Sequence, residues 1–538
     1  MFAEDVGRLV QGEGAERARR LLARDPSLWS ADPAAQREIA QRLGWLELPR
    51  SMAPHAGDLA GFADGVRRAG YARVVLLGMG GSSLAPETFA RVFGPRQGFP
   101  ALAVLDSTDP AFIAAVEHAA PLERTFFLVS SKSGTTLETS DLFEYFWQRT
   151  GGRGEQFAAI TDPGTALAAL GRERKLRRVF ENPPDIGGRY SALSFFGLVP
   201  AALLGVDLAG LLERAGRMAE ACASTRGAGD NPGLRLAGAL AAGWNAGRDK
   251  VTIVAGPGLE AFGPWAEQLL AESTGKEGKG LVPVVGEPLA PPSAYGADRL
   301  FVALEMGRAS EAHTAAALAA LEGAGHPVVR LSLEDALDLG AEFFRWEVAT
   351  ALAGSWLGIN AFDQPNVAES KENTARVLEQ LVAGQAPSAP EAVEPAELDG
   401  PLSRWLARIG SGGYAALLAY LPPSPAHDAG LTALRSALRD ALGIATSAAY
   451  GPRYLHSTGQ LHKGGPPAGA FLCLERDGGP ELPVPGQRYT FGTLERAQAL
   501  GDLVALERRG RPVLRIRLGA GGLDGVRAAA ERSLRARR

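Results

Sequence analysis

Apolar runs of five residues alternate with longer stretches of helical periodicity from about residue 71 onward. Arg73–Leu77 (RVVLL), Ala101–Leu105 (ALAVL), Thr125–Val129 (TFFLV) and Phe157–Thr161 (FAAIT) are each bounded by Gly, Asp or Ser. Short β-branched and aromatic runs between turn formers read as buried strands. Helical stretches between such strands predict βαβ units around a parallel sheet. After an apolar helical region near residues 192–245 the rhythm returns in Val251–Ala255 (VTIVA), Leu281–Val285 (LVPVV), Leu300–Leu304 (LFVAL) and Pro327–Leu331 (PVVRL). The pattern therefore predicts two doubly wound α/β domains.

The boundaries follow from the same pattern. Residues 1–70 read as an amphipathic helical segment with breaks near Pro49 and Gly61. The first α/β domain is expected over 71–205 and the second over 206–382. Residues 383–401, AGQAPSAPEAVEPAELDGP, are rich in Pro, Ala and Glu and read as a linker or exposed excursion. A C-terminal mixed α/β region, 402–538, holds strands at Ala470–Leu474 and Val513–Leu518 and ends in an Arg-rich helix.

Composition narrows the function classes. The 538 residues are 46% hydrophobic and 22% charged, an ordinary globular balance. A formal net charge of -4 argues against a nucleic-acid or membrane-surface partner, either of which calls for a basic excess. Two cysteines, Cys222 and Cys473, build neither a disulfide framework nor a cysteine-rich metal site. The start, MFAEDVGRLV, has acids where a signal peptide has a basic region. The longest apolar stretch, Tyr190–Val206, is interrupted by Pro200 and ends at Asp207, too broken to span a membrane. A cytoplasmic protein is expected. Of 56 basic residues 49 are Arg, and five of the seven lysines (Lys132, Lys276, Lys279, Lys371, Lys463) fall in short polar, Gly-rich segments. That bias suits positions where a compact ammonium cannot be exchanged for a planar guanidinium.

Six segments carry candidate chemistry. Gly78–Pro86 (GMGGSSLAP) follows the first strand, where glycines expose backbone N–H groups before a helix N-terminus. Its spacing is not GxGxxG, so it suits a phosphate better than a dinucleotide; a plain strand–helix turn is the alternative. Ser130–Thr139 (SSKSGTTLET) follows the third strand and crowds hydroxyls around one Lys and one Gly, a cup of donors for an oxyanion. The carboxyl ends of strands are where open α/β sheets bind ligands. Gly187–Ser191 (GGRYS) presents an Arg from a Gly pair. Gln268–Gly280 (QLLAESTGKEGKG) sets Glu272 near a helix end against a polar turn, as a proton shuttle or as an ion-pair partner of Lys276. Phe362–Lys371 (FDQPNVAESK) starts a helix at Pro365 and puts Lys371 two turns in. His456–Gly465 (HSTGQLHKGG) holds two of the seven histidines in a Gly-rich turn, with no third metal ligand nearby. An acid/base role suits it.

Taken in series, GMGGSSLAP, SSKSGTTLET, GGRYS, AESTGK and FDQ with its downstream Lys resemble the glucose-6-phosphate isomerase family. FDQP and HSTGQLHKGGP are most similar to the isomerase half of bifunctional transaldolase/glucose-6-phosphate isomerase proteins. The resemblance runs from about residue 15 to the C-terminus. It implies two sugar-isomerase (SIS-type) doubly wound domains and an aldose–ketose isomerisation of glucose 6-phosphate and fructose 6-phosphate. It assigns phosphate binding to Gly81, Ser82, Ser131, Lys132, Ser133 and Thr136. Arg189 is then the stabiliser of the enediolate, Glu272 the base between C1 and C2, and Lys371 a helper at the sugar ring. The ring-opening His is taken to be His462, which follows a Gly-Gln pair, with His456 as the competitor. The resemblance further implies a homodimer with shared sites, and the chemistry calls for no metal or redox cofactor. A non-catalytic sugar-phosphate regulator and a transaldolase remain as alternatives. The first has no use for Glu272, Arg189 and Lys371 together. The second needs a Schiff-base Lys in a (β/α)₈ barrel, which the two-sheet rhythm does not offer.

Overall fold

The computed structural model describes residues 2–536, apart from 224–227, 308–311, 477 and 520. The first sheet contains β1 (Arg73–Gly78), β2 (Ala101–Leu105), β3 (Thr125–Ser130), β4 (Phe157–Thr161) and β5 (Arg178–Glu181), all parallel, in the order β2-β1-β3-β4-β5. Its strands are apolar on both faces because helices cover both. Val74, Leu76, Phe126, Leu128, Ala158 and Ile160 enter one core. Their neighbours in the chain, Val75, Leu77, Phe127, Val129, Phe157 and Ala159, enter another. This is the period-2 alternation of a sheet buried between two layers.

The second sheet holds β6 (Lys250–Ala255), β7 (Val282–Val285), β8 (Arg299–Met306) and β9 (Val328–Leu333), parallel, in the order β7-β6-β8-β9. Eight of the nine strands in these two sheets lie within two residues of the positions expected from the sequence; β5 was not foreseen.

The C-terminal α/β region holds the two expected strands and final helix and adds further strands. β10 (Ala392–Val393), β11 (Tyr414–Tyr420), β12 (Ala445–Tyr450), β13 (Gly469–Arg476) and β14 (Val513–Leu518) form a third all-parallel sheet, in the order β10-β14-β13-β11-β12. The expected linker is not separate from it. Its residues Ala392–Val393 form β10 and pair with β14 at the sheet edge. Each sheet thus winds alike, with the first long strand of its set central, the second on one side and the third on the other. The connection between β12 and β13 leaves the third sheet and packs against the first two domains.

Among the described residues no helix is long and apolar enough to cross a membrane.

Candidate active site

β1 and β3 are neighbours, with Gly78 opposite Ser130. The chain runs outward in opposite directions from this pair, so the crevice lies at the switch point of the sheet. Both polar loops emerge there. A side chain on Gly78 would put its Cβ 2.9 Å from the Ser130 carbonyl oxygen and 3.1 Å from that of Ser82. On Gly81 it would lie 2.2 Å from the Gly188 carbonyl oxygen, so the GGSS turn packs backbone to backbone on the GGRYS turn. In the second loop Gly134 takes φ +65°, a left-handed turn that brings Ser131 Oγ to donate to Thr136 Oγ1 at 3.0 Å. Thr136 is the N-cap of the helix Leu137–Arg149 without capping its own backbone, and Ser133 is exposed at the loop tip. The Lys132 ammonium is engaged by the Asp162 carboxylate and donates to the Pro184 carbonyl at 3.3 Å.

Beside these loops stands Arg189, 3% exposed, in the 3₁₀ turn Gly188–Tyr190. Its guanidinium donates from Nε to Ser273 Oγ (2.8 Å). Nη1 donates to Glu272 Oε1 (3.1 Å) and Gln364 Oε1 (2.9 Å), and Nη2 to the carbonyls of Ala361 (2.7 Å) and Asp363 (2.9 Å). All five donors of the fork are used, which fixes the charge in one place. Glu272 lies near the end of the helix Phe262–Thr274, one turn after Gln268. Gln268 Nε2 donates to Glu272 Oε2 at 2.9 Å, so one donor holds each carboxylate oxygen. Lys276, at the turn after this helix, lies 2.7 Å from Asp363 Oδ1. Burial, then the charge of Arg189, pushes the Lys276 ammonium down to about 7 against the pull of Asp363.

The histidines separate sharply. His456 reaches this cleft: its backbone oxygen accepts from Gln268 Nε2 at 2.8 Å and its Nε2 lies 2.8 Å from Glu138 Oε1. Glu138, in the first turn of Leu137–Arg149, is buried and also accepts from Gln498 Nε2 (2.7 Å), which is steadied by Thr108 (2.7 Å). Burial would raise the Glu138 carboxyl, but the charge and hydrogen bond of His456, with the charge of Lys371, hold it below its ordinary value. Lys371 is exposed on the helix Pro365–Val382. His462 is not brought to the cleft. It is 2% exposed among the rings of Tyr414, Tyr454 and Phe471, and its Nδ1 has no hydrogen-bond partner. Burial, with Lys463 and Arg511 adding to it, pushes its pKa far below the ordinary value. Such a ring stays neutral and packs as an aromatic. The neighbouring Lys463 pairs with the buried Asp502.

Sequence reasoning thus missed Gln268, Gln364, Glu138 and Gln498. Three of them lie inside motifs already singled out; Gln498, in the third domain, had no local signal. Among the described residues no group of three His, Cys, Asp or Glu could hold a metal ion.

The phosphoglucose isomerase family model matches residues 56–280, which span both polar loops, Arg189 and Glu272. The glucose-6-phosphate isomerase of Rubrobacter xylanophilus is 30% identical over 422 residues, covering 69% of this chain and 96% of that protein. The chain belongs to the glucose-6-phosphate isomerase family. The family's enzyme from Carboxydothermus hydrogenoformans is 28% identical over 399 residues, 62% of this chain and 85% of its own. Among solved structures, a hypothetical protein of Thermus thermophilus superposes with TM-score 0.59 at 25% identity, covering 70% of this chain and 96% of that one. A glucose-6-phosphate isomerase from Chlamydia trachomatis superposes with TM-score 0.54 at 20% identity, covering 72% and 87%, and shares the fold.

Proposed function

We propose that this isomerase-family chain interconverts glucose 6-phosphate and fructose 6-phosphate through an enediolate, with Glu272 as the proton shuttle. The observation that carries this reading is the Glu272 carboxylate, held on one oxygen by Arg189 and on the other by Gln268, in a cleft that also receives His456. Its partners orient it toward a single face of a bound sugar.

The substrate phosphate docks on the two switch-point loops, taking the N–H of Gly81 and the hydroxyls of Ser82, Ser131, Ser133 and Thr136, with Lys132 and its counter-ion Asp162 at the border. Binding energy at this end orients the reacting carbons at the other. His456, aligned by Glu138, takes over the ring-opening role expected of His462. It protonates the ring oxygen as the bond from C1 to that oxygen breaks, the anomeric hydroxyl passes its proton to solvent water, and the C1 aldehyde forms. Glu272 then removes the C2 proton. The electron pair moves into the C1–C2 bond and the carbonyl electrons onto O1, where Arg189 stabilises the negative charge. Return of the proton from Glu272 to C1, with the C2 hydroxyl proton passing to O1, gives the ketose. Lys371 stands at the rim as a cation for the sugar oxygens. Every group named here comes from one chain.

A coupled assay tests the reading. Activity is expected on glucose 6-phosphate, with exchange of the C2 proton into solvent, and none on sedoheptulose 7-phosphate with glyceraldehyde 3-phosphate. Phosphate-ester binding without turnover would instead favour a regulator.

A further inference from the structure

His456 closes the 3₁₀ turn Arg453–His456, in the connection from β12 to β13. This turn belongs to the third domain, yet its imidazole works on a carboxylate of the first. Something must fix the turn across that boundary. Its first residue, Arg453, pairs with the Glu87 carboxylate and lies 3.4 Å from Asp106 Oδ2. Glu87 is on the helix Leu84–Phe93, which directly follows the GGSS turn. Asp106 directly follows β2 and accepts at 3.0 Å from the Oγ of Ser83, the residue after Ser82. The side chains are 23% (Arg453), 18% (Glu87) and 5% (Asp106) exposed, so the triad is largely withdrawn from solvent. The turn also presses on the phosphate loop directly, since a Cβ on Gly80 would lie 2.7 Å from the His456 carbonyl oxygen.

We propose that Arg453 is a positioning residue for ring opening: its bond to Glu87 and Asp106 sets His456 against Glu138 and ties it to the phosphate-binding turn. The inference rests on the reading of His456 as the ring-opening group. An Arg suits the task because its planar fork reaches two carboxylates at once, whereas a Lys offers one point charge.

The test compares kcat on cyclic glucose 6-phosphate with kcat on an open-chain analogue lacking the ring-closing hydroxyls. Arg453→Gln should slow the cyclic substrate by about 10–100-fold, the scale of an ångström of misplacement at a reacting group. The open-chain analogue should be spared. Arg453→Lys should recover only part of the loss. Glu87→Gln, which leaves Arg453 paired with Asp106, should show the same selectivity more weakly and serves if Arg453→Gln fails to fold. In a His456→Asn background, Arg453→Gln should add nothing further. Losses that multiply in the double variant, or equal slowing of both substrates, would overturn the proposal. If His456→Asn alone leaves cyclic turnover intact, the ring-opening reading fails first and the proposal with it.

Discussion

Replacing Glu272 by Gln keeps the side-chain volume and removes the proton acceptor. In the native site Oε1 accepts from Arg189 Nη1 at 3.1 Å and Oε2 from Gln268 Nε2 at 2.9 Å. An amide cannot satisfy both, because its NH₂ must face one of these donors. Turned toward Gln268, it meets an amide that cannot rotate freely, since the same Nε2 also donates to the His456 carbonyl at 2.8 Å. One donor is left without a partner, at a cost of about 1–3 kcal/mol. Arg189 keeps Ser273, Gln364 and two carbonyls, so its charge stays paired by hydrogen bonds. The fold should therefore survive with a lowered melting temperature. Catalysis should suffer far more. A general base contributes about 10²–10⁴-fold, equivalent to about 2.7–5.4 kcal/mol in the barrier. The assay is kcat on glucose 6-phosphate beside deuterium exchange at C2, with phosphorylated inhibitors reporting binding. Turnover within tenfold of the parent, with C2 exchange continuing, would refute the assignment of Glu272.

Four further outcomes are expected. Ser133→Ala with Thr136→Ala should weaken phosphorylated inhibitors by about 1.5–3 kcal/mol for each lost bond to a charged group, and unchanged affinity would remove the loop from the phosphate site. His456→Asn should slow the cyclic sugar selectively, whereas His462→Asn should lower thermal stability without distinguishing cyclic from open-chain substrates; the reverse pattern would exchange their roles. Mixing Glu272→Gln with His456→Asn chains should restore no activity, because both groups serve the same chain's cleft, and recovery on mixing would show sites shared between subunits. Burial pushes the Asp141 carboxyl from 3.8 up to about 7. A folded-state pKa above the unfolded one gives stability that is complete at low pH and lost as pH rises through about 7. Denaturant midpoints should therefore fall less between about pH 4 and 7 in Asp141→Asn than in the parent.

The first two sheets were readable because their strands are short apolar runs closed by turn formers, and a strand buried on both faces has little else to encode. The third sheet was only half readable. β11 (YAALLAY) and β12 (ATSAAY) are rich in alanine, the best helix former, and only pairing in the sheet, β11 with β13 and β12 with β11, makes them strands. Within the site, Arg189 and Glu272 stood in motifs whose residue types announced them. Lys132 did too, but nothing local showed that Asp162, thirty residues on, pairs with it. The two histidines of HSTGQLHKGG differ by six positions and by everything around them. What buries His462 is Phe471, Tyr454 and Tyr414, and what engages His456 is Glu138; Tyr414 and Glu138 are remote in the chain. No spacing rule distinguishes them.

The position of His456 on the third sheet's connection also sets an order in time. Synthesis runs from the N-terminus, so the phosphate loops, Arg189, Glu272 and Lys371 all leave the ribosome before His456 exists. On the proposed roles, a chain ended anywhere between Lys371 and His456 would carry the Glu272 shuttle without its ring opener. Such a product is confined to sugars already open, which are scarce beside their cyclic forms. On that reading the 83 residues from His456 onward are needed for turnover of the cyclic sugar. Gln498, which braces Glu138, lies later still. On that reading full competence waits for the third sheet and its connections to fold.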